Sequence, residues 1–545
     1  MSGRSISKVD PPDDRAALRW AVYALLIAIS TGLMLARIAR LEPSDPKSKT
    51  PFLSANDRSR WATIRALGDD NTYAIDHIIF DSQGRRVRGW HTIDLVKHRG
   101  PDGREHYYSS KPTLLPTLLA GEYWLIKQIT GTSLAEDAFY VARIMLVLTN
   151  VLPLVIALVV LARLIDQFGK TDVGRVIAVA SAAGGTFLTT FAVTLNNHSV
   201  AAISAAFALA AIVPIWRDGK TAWWRFALAG LFLAFMAANE LPALSLCVLA
   251  GAGLAWRFPL RMLVAFAPAV ALVAAAAFGT NYLAHRDWKT PYAHRQDGPV
   301  LATILADGAA ALDHGQVSSP LLRALEQLPF ELSDQLEIEV REAGKRWVLW
   351  DEETQRRLAL VRTPREAGAS QTIEIRRWDN WYDYEGSYWR PESIRGIDVG
   401  ELSPVVYAFN VLIGHHGLFS LTPLWLISAA GCVMWLRRGT PTERMVATTT
   451  IIITIVVLAF YLTRPQIDRN YGGGTCCLRW MIWLTPLWLL TLLPAADWLS
   501  RRRIGIALCT IALAWSTFSA AYGVDNPWSH PWIFDYWTHL GLIRY

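Results

Sequence analysis

"LTTFAVTLNNHSVAAISAAFALAAIVPIW", residues 188–216, is the stretch on which the fold turns. An apolar segment runs up to Leu195, the polar tip Asn196–Ser199 interrupts it, and an Ala-rich apolar segment continues to Trp216. About 20 apolar residues cross roughly 30 Å of hydrocarbon at 1.5 Å per residue. Two spans joined by a tight polar hairpin tip are the reading that follows.

The same signal recurs outward from this hairpin. The 545 residues are 52% hydrophobic and 18% charged, with 24 Trp and a mean hydropathy of +0.24. That composition belongs to a polytopic membrane protein. Spans are expected near 17–38, 139–162, 176–195, 199–216, 226–240, 241–256, 262–283, 418–436, 446–463, 480–496 and 504–523. The short loops "RLIDQFGKTDVGR", "RDGKTAWWR", "RFPLR", "RRGTPTER" and "SRRRIG" then fall on one side. The positive-inside rule puts that side in the cytoplasm, with the N-terminus inside and the C-terminal tail outside, in an inner or plasma membrane. The same basic span ends account for the net charge of +7, so no nucleic-acid partner is expected. The 16 mostly polar residues before the first span, and the lack of a small-residue cleavage site, make that span an anchor rather than a signal peptide.

The stretch "PTLLPTLLAGEYWLIKQITG" from Pro112 carries Glu122 and Lys127. Lying along the outer interface is the simpler reading, and a full crossing would raise the total to twelve or thirteen. The fold class is therefore an all-α polytopic bundle of about 11 to 13 transmembrane helices with a small extracytoplasmic β-rich insert. Its parts are a membrane module at 1–283 containing a first outer loop (39–111), the insert at 284–403, and a second membrane module at 404–545. In the insert, "LEIEVREAGKRWVLWDEETQRRLALVR" and "SQTIEIRRW" alternate like half-buried strands. Trp378, Trp381, Tyr382, Tyr384, Tyr388 and Trp389 are suited to stacking on acceptor sugars, and equally to packing at the bilayer interface or in the insert's own core.

Polar residues converge on the outer face: Asp57 and Lys111 on the first outer loop, Asn196–Ser199, the tip "NELP" with Glu240, and "NYGGGTCCLRW" entering a span. A site at the mouth of the bundle is the default reading of such costly residues. Bland readings stand beside it. Asn196 and Asn197 suit a turn, His198 a structural role, Glu240 a turn cap and Gly472–Gly474 a flexible span entry. The five cysteines have no metal-ligand spacing, and only Cys476 and Cys477 adjoin as a possible thiol or disulfide site.

In order along the chain, these elements resemble the GT-C superfamily of integral-membrane glycosyltransferases, in its protein O-mannosyltransferase and lipid A aminoarabinose transferase branch. "DRSRWATI", with Asp57, Arg60, Trp61 and Ala62, is similar to the family's acidic first-loop sequence. "YYSSKPTLLPTLLAGEYWLIKQITG" is similar to its Lys-Pro-Pro-Leu element at Tyr108, Lys111, Pro112 and Leu114. "FAVTLNNHSVAA" takes the place of a polar turn, and "YGGGTCCLRWMIWLTP" that of a late Gly-rich element, at Gly472, Gly473, Arg479, Trp480 and Pro486. There are departures. Arg58 replaces a second acid, Ser110 replaces a Glu before the Lys-Pro, and Asn197 or His198 replaces a turn Asp.

The resemblance implies a GT-C-like bundle in which a sugar moves from a polyprenyl-phosphate donor to an envelope lipid, glycan or protein. Inverting hexosyl or pentosyl transfer is the expected reaction. Asp57 is then the expected base, Lys111, Arg479 and Arg60 the donor-phosphate ligands, and Asn197, His198, Glu240 and Tyr108 substrate contacts, with His198 also a second choice for the phosphate. No metal ligands are assigned, and a divalent ion is left open. Two other classes fit the spans: a transporter or flippase of lipid-linked glycans, which calls for midplane charges or inverted repeats that are not visible, and a non-catalytic envelope protein.

Overall fold

The computed structural model describes residues 14–43, 45–354, 356–363 and 370–544, so the polar stretch before Asp14 lies outside the described residues. Among them, seven helices are long and apolar enough to cross a membrane: Asp14–Ala39, Ala138–Phe168, Asn197–Asp218, Pro259–His285, Pro441–Leu462, Arg479–Leu499 and Arg503–Tyr522. Trp223–Asn239 and Leu241–Arg257 are shorter apolar helices. The architecture is that of an all-α polytopic bundle carrying a β-rich insert.

Two expected spans are built differently. Residues 418–436 are reached by the short Leu418–Leu421 turn and the Leu424–Arg438 helix. Residues 176–195 are not one helix: Asp172–Ala183 stops at Gly184, and the chain continues irregularly through a 3₁₀ turn, Thr190–Val193. Carbonyls freed from a helix inside a bundle need new donors. Asn150 donates its amide to the carbonyls of Ala192 and Thr194, both at 2.9 Å, and Asn196 donates to Phe191 and Thr194. Asn150 stands in a π-helical turn, Val147–Val151, where the ordinary ladder is itself interrupted. The break aims Thr194 and the tip 196–199 at the end of the bundle.

Residues 45–111 are folded against that end. Ser54 caps the Ala55–Asp70 helix in a capping box with Asp57, and Asn71 closes it at φ 53°. Trp61, Ala62, Ile64 and Ala66 are buried, while Asp69 accepts from Tyr123 (2.7 Å) and Lys127 (2.8 Å) of the Leu114–Thr130 helix. That helix turns Leu118, Trp124, Leu125 and Ile129 outward. Strands β1 (Leu95–Arg99) and β2 (Glu105–Ser109) form an antiparallel hairpin with Leu95 opposite Ser109. This hairpin was not expected from the sequence.

In the insert, β3 (Val300–Leu305), β4 (Leu336–Glu342), β5 (Arg346–Asp351), β6 (Arg356–Arg362) and β7 (Thr372–Arg377) make an antiparallel sheet in the order β3-β7-β6-β5-β4. Trp347, Leu349, Leu358, Leu360, Ile373 and Ile375 pack with Leu312, Leu321 and Leu325 from two short helices into a core separate from that of the bundle. The insert's aromatic run packs not in the insert's own core but against the β1–β2 hairpin. Tyr382 joins Val96 and Tyr108, Tyr384 meets Tyr107 edge-on at 5.3 Å, and Trp389 donates to the carbonyl of Ile93 at 2.9 Å.

The junction between hairpin, insert and bundle is a stack of rings. His98 lies parallel to Tyr108 at 4.3 Å and against Trp381 at 4.1 Å, and Trp381 stacks on His294 at 3.6 Å. His98 donates from Nδ1 to the carbonyl of Arg99, so its Nε2 accepts from Nδ1–H of His285 at 2.9 Å. This arrangement needs a neutral ring. Burial lowers the His98 pKa from 6.5 to about 4. A histidine depressed in the fold contributes stability that is present above pH 6.5 and lost as the pH falls toward 4. His98 should therefore contribute a loss on the order of 3 kcal/mol across that window in thermal unfolding of the detergent-solubilised protein, and His98→Asn should make the acid limb shallower by about that amount while His91 and His285 maintain the rest.

Candidate functional site

Seen from Asp57, the expected base, the end of the bundle is a set of committed hydrogen bonds. Asp57 is 1% exposed. One carboxylate oxygen accepts from the amide of Ser54 at 3.1 Å, and the other accepts from the amide of Leu53 at 3.0 Å and the hydroxyl of Thr194 at 2.8 Å. Burial pushes the Asp57 pKa up, against the pull of these three donors. Its lone pairs cap a helix and clasp the irregular segment of the bundle. Arg58, which stands where a second acid was expected, turns aside to the carbonyl of His91 at 3.2 Å.

Five of the expected residues meet directly. Arg60, 2% exposed, is held by Asn56 and donates from Nη2 to Asn197 Oδ1 at 2.6 Å. The Asn197 amide donates to Glu240 Oε1 at 2.7 Å and to the carbonyl of Asn239. His198 Nδ1 hydrogen-bonds the same Glu240 oxygen, and its Nε2 meets Arg479 Nη1 at 2.8 Å. Arg479 also donates from Nε to the carbonyl of Gly472 at 3.1 Å and lies 4.9 Å over the ring of Trp528. Trp528 in turn donates to Thr194 Oγ1, closing the circuit to Asp57. Gly472 sits at φ +96°, where a Cβ would stand 2.8 Å from Arg479 Nε, so this approach is open only to glycine.

Lys111 enters through Asp94, a residue the sequence reading passed over. Their ion pair is 2.9 Å long and both side chains are about nine-tenths buried. Lys111 Nζ also lies 5.9 Å over the ring of Tyr292, which is 44% exposed. Burial lowers the Arg60 pKa, Tyr292 and Asp94 raise it, Arg479 lowers it and Glu240 raises it, so the pair and the Arg60–Arg479 chain act within one field. Asp398, at the end of the insert, is the other missed carboxylate. It accepts from Tyr388 (2.9 Å) and Asn470 (3.2 Å), remains partly exposed, and has its pKa raised by burial, lowered by Tyr388, raised by Asp94 and lowered by Arg479. No signal in the chain separates Asp94 or Asp398 from other loop acids, because each reaches the site only when the hairpin and the insert fold onto the bundle.

Tyr108 stands apart from this chain. It is 3% exposed in the ring stack and borders, with Lys111, Tyr73 and His285, a small recess. Among the described residues no group of three or more His, Cys, Asp or Glu is placed to hold a metal ion. Cys476 and Cys477 are buried free thiols.

No family model matches the chain, and no curated protein matches it. Among solved structures it is similar to the oligosaccharyltransferase of Archaeoglobus fulgidus in the apo form, at 11% identity and a TM-score of 0.41, over 93% of this chain and 56% of that one. The same organism's oligosaccharyltransferase AglB, in complex with an inhibitory peptide and a dolichol-phosphate, gives 13% identity, a TM-score of 0.41 and the same two coverages. The enzyme tethered to an acceptor peptide gives 11%, 0.40, 93% and 55%. The chain thus spans little more than half the length of these structures, and at these values the likeness assigns no activity.

Asp57→Asn replaces an acceptor by an amide facing two backbone donors and a hydroxyl. Thermal unfolding should show a loss of about 1–3 kcal/mol, and Thr194→Val, which removes both the bond to Asp57 and the acceptor of Trp528, should cost a similar amount. A wild-type Tm for Asp57→Asn would contradict the clasp.

Proposed function

We propose that this protein transfers a sugar from a polyprenyl-phosphate donor to an envelope acceptor at the outer face of the membrane. The observation that carries the reading is the convergence of Arg60, Lys111 and Arg479 at one end of an apolar bundle, each aimed by fixed polar partners. Cations held near low dielectric stabilise a phosphate more strongly than they do in water. The Nη2 of Arg479 makes no hydrogen bond to another described residue, which leaves it available to a phosphate oxygen.

In the proposed reaction an acceptor hydroxyl attacks the anomeric carbon as the bond from that carbon to the phosphate oxygen breaks. The polyprenyl phosphate leaves with the electron pair, and the hydroxyl proton passes to a carboxylate. Direct displacement with a phosphate leaving group inverts the anomeric centre and needs no paired acid. Asp57 was the expected proton acceptor, but it is 1% exposed and carries three hydrogen bonds, so an acceptor hydroxyl has no approach to it. We assign that role to Asp398, whose raised pKa and partial exposure suit a base. Asp94 orients Lys111, and Asp57 holds the scaffold. The bilayer supplies the donor's chain laterally.

Envelope glycan and lipid profiles of cells producing the wild type, Asp398→Asn or Arg479→Gln test this reading. Both variants, at wild-type abundance, should lose one sugar from an envelope component and accumulate the lipid-linked donor, with turnover down by about 10²-fold or more. Unchanged profiles in both would overturn it.

A further inference from the structure

The contact between Arg479 and His198 fixes more than a distance. An arginine guanidinium only donates hydrogen bonds, so the His198 Nε2 facing Arg479 Nη1 at 2.8 Å must be a bare acceptor. In a neutral ring the single proton is then on Nδ1, the nitrogen that faces Glu240 Oε1. Glu240 is an acceptor there, because the same oxygen also takes a hydrogen bond from the Asn197 amide. Every bond in the chain has one polarity: carboxylate, Nδ1–H, Nε2, guanidinium.

Burial sets the roles. His198 is 2% exposed, with both ring nitrogens committed to Glu240 and Arg479, and Glu240 is 4% exposed, whereas Arg479 is half-buried. Three fixtures hold the guanidinium: His198 at Nη1, the carbonyl of Gly472 at Nε and the ring of Trp528 beneath. Nη2 is left over. A metal-bound histidine is oriented by a carboxylate on its other nitrogen, and the same logic applies here with an arginine in place of the metal.

We infer that Glu240 and His198 are positioning residues: Glu240 locks His198 in the Nδ1–H tautomer, and the bare Nε2 holds Arg479 with Nη2 directed at a lipid-linked phosphate. The inference rests on the proposed function for its ligand and on geometry alone for its tautomer. It replaces the expectation that His198 and Glu240 touch substrate.

The test uses the full chain in nanodiscs with undecaprenyl phosphate as the probe. His198→Leu removes the acceptor and should raise the Kd about tenfold, as loss of one charge-assisted hydrogen bond does. His198→Gln offers an amide oxygen to Arg479 and an amide N–H to Glu240, and should restore the Kd to within about threefold of wild type. Wild-type affinity in His198→Leu, with Arg479→Gln impaired, would overturn the inference, as would equal weakness in His198→Leu and a folded His198→Gln. Nitrogen-15 spectra of histidine-labelled protein read the tautomer without ligand, the His198 signals being those that vanish in His198→Gln. A protonated Nδ1 with an unprotonated Nε2 is expected. An Nε2–H or doubly protonated ring would sink the positioning claim. If wild-type protein binds no undecaprenyl phosphate, the phosphate-binding part of the proposed function falls, while the spectrum still decides the tautomer.

Discussion

The carboxylate of Asp57 joins two pieces of chain that lie 137 positions apart in the sequence. Two backbone amides at the start of the Ala55–Asp70 helix and the hydroxyl of Thr194 all converge on it. An acid this buried is tolerated only because each of these donors replaces the water it has lost. With the clasp in place, the Ala55–Asp70 helix lies over the end of the bundle. Arg60 then reaches Asn197, one helical turn along from Asp57. The rest of the site is hung from that docking.

The irregular stretch after Gly184 makes the docking possible. A continuous helix through 176–195 would have buried its backbone polar groups in its own ladder and offered no free edge at the mouth of the bundle. Breaking the helix costs hydrogen bonds, and the amides of Asn150 and Asn196 restore them. The gain is a polar tip whose side chains point along the chain from Arg60 to Arg479 rather than into lipid. Cations gathered in this way repel one another. Asp94 and Glu240, interleaved among them, hold the field near balance.

Much of this was legible in the sequence. The spans follow from apolar length, which is a local property, and the strands of the insert follow from alternation. Lys111, Arg479, Asn197, His198 and Glu240 were found because polar residues at span ends are too costly to be idle. The limits of that reasoning are equally physical. A capping carboxylate and a base are the same residue type at the same place in a chain, so Asp57 reads alike for both jobs. Gly184 and Gly185 did not mark a break, since glycine inside an apolar run is also tolerated in membrane helices. Trp381 and Tyr382 pack against His98 and Tyr108 of the hairpin, a partner that alternation and composition could not name.

By itself the sequence determined the membrane class, the β-rich insert and the pool of polar residues, because hydrophobic length and periodicity act over a few neighbours at a time. Only the tertiary structure decided which members of that pool meet. Asp94 and Asp398 join the site from a hairpin and an insert that are remote in sequence, Asp57 withdraws into a cap, and His198 is turned to face Arg479 across 281 positions of chain. Pairings of that kind depend on docking geometry, and a hydrogen bond exists only where donor and acceptor arrive together within about 3 Å.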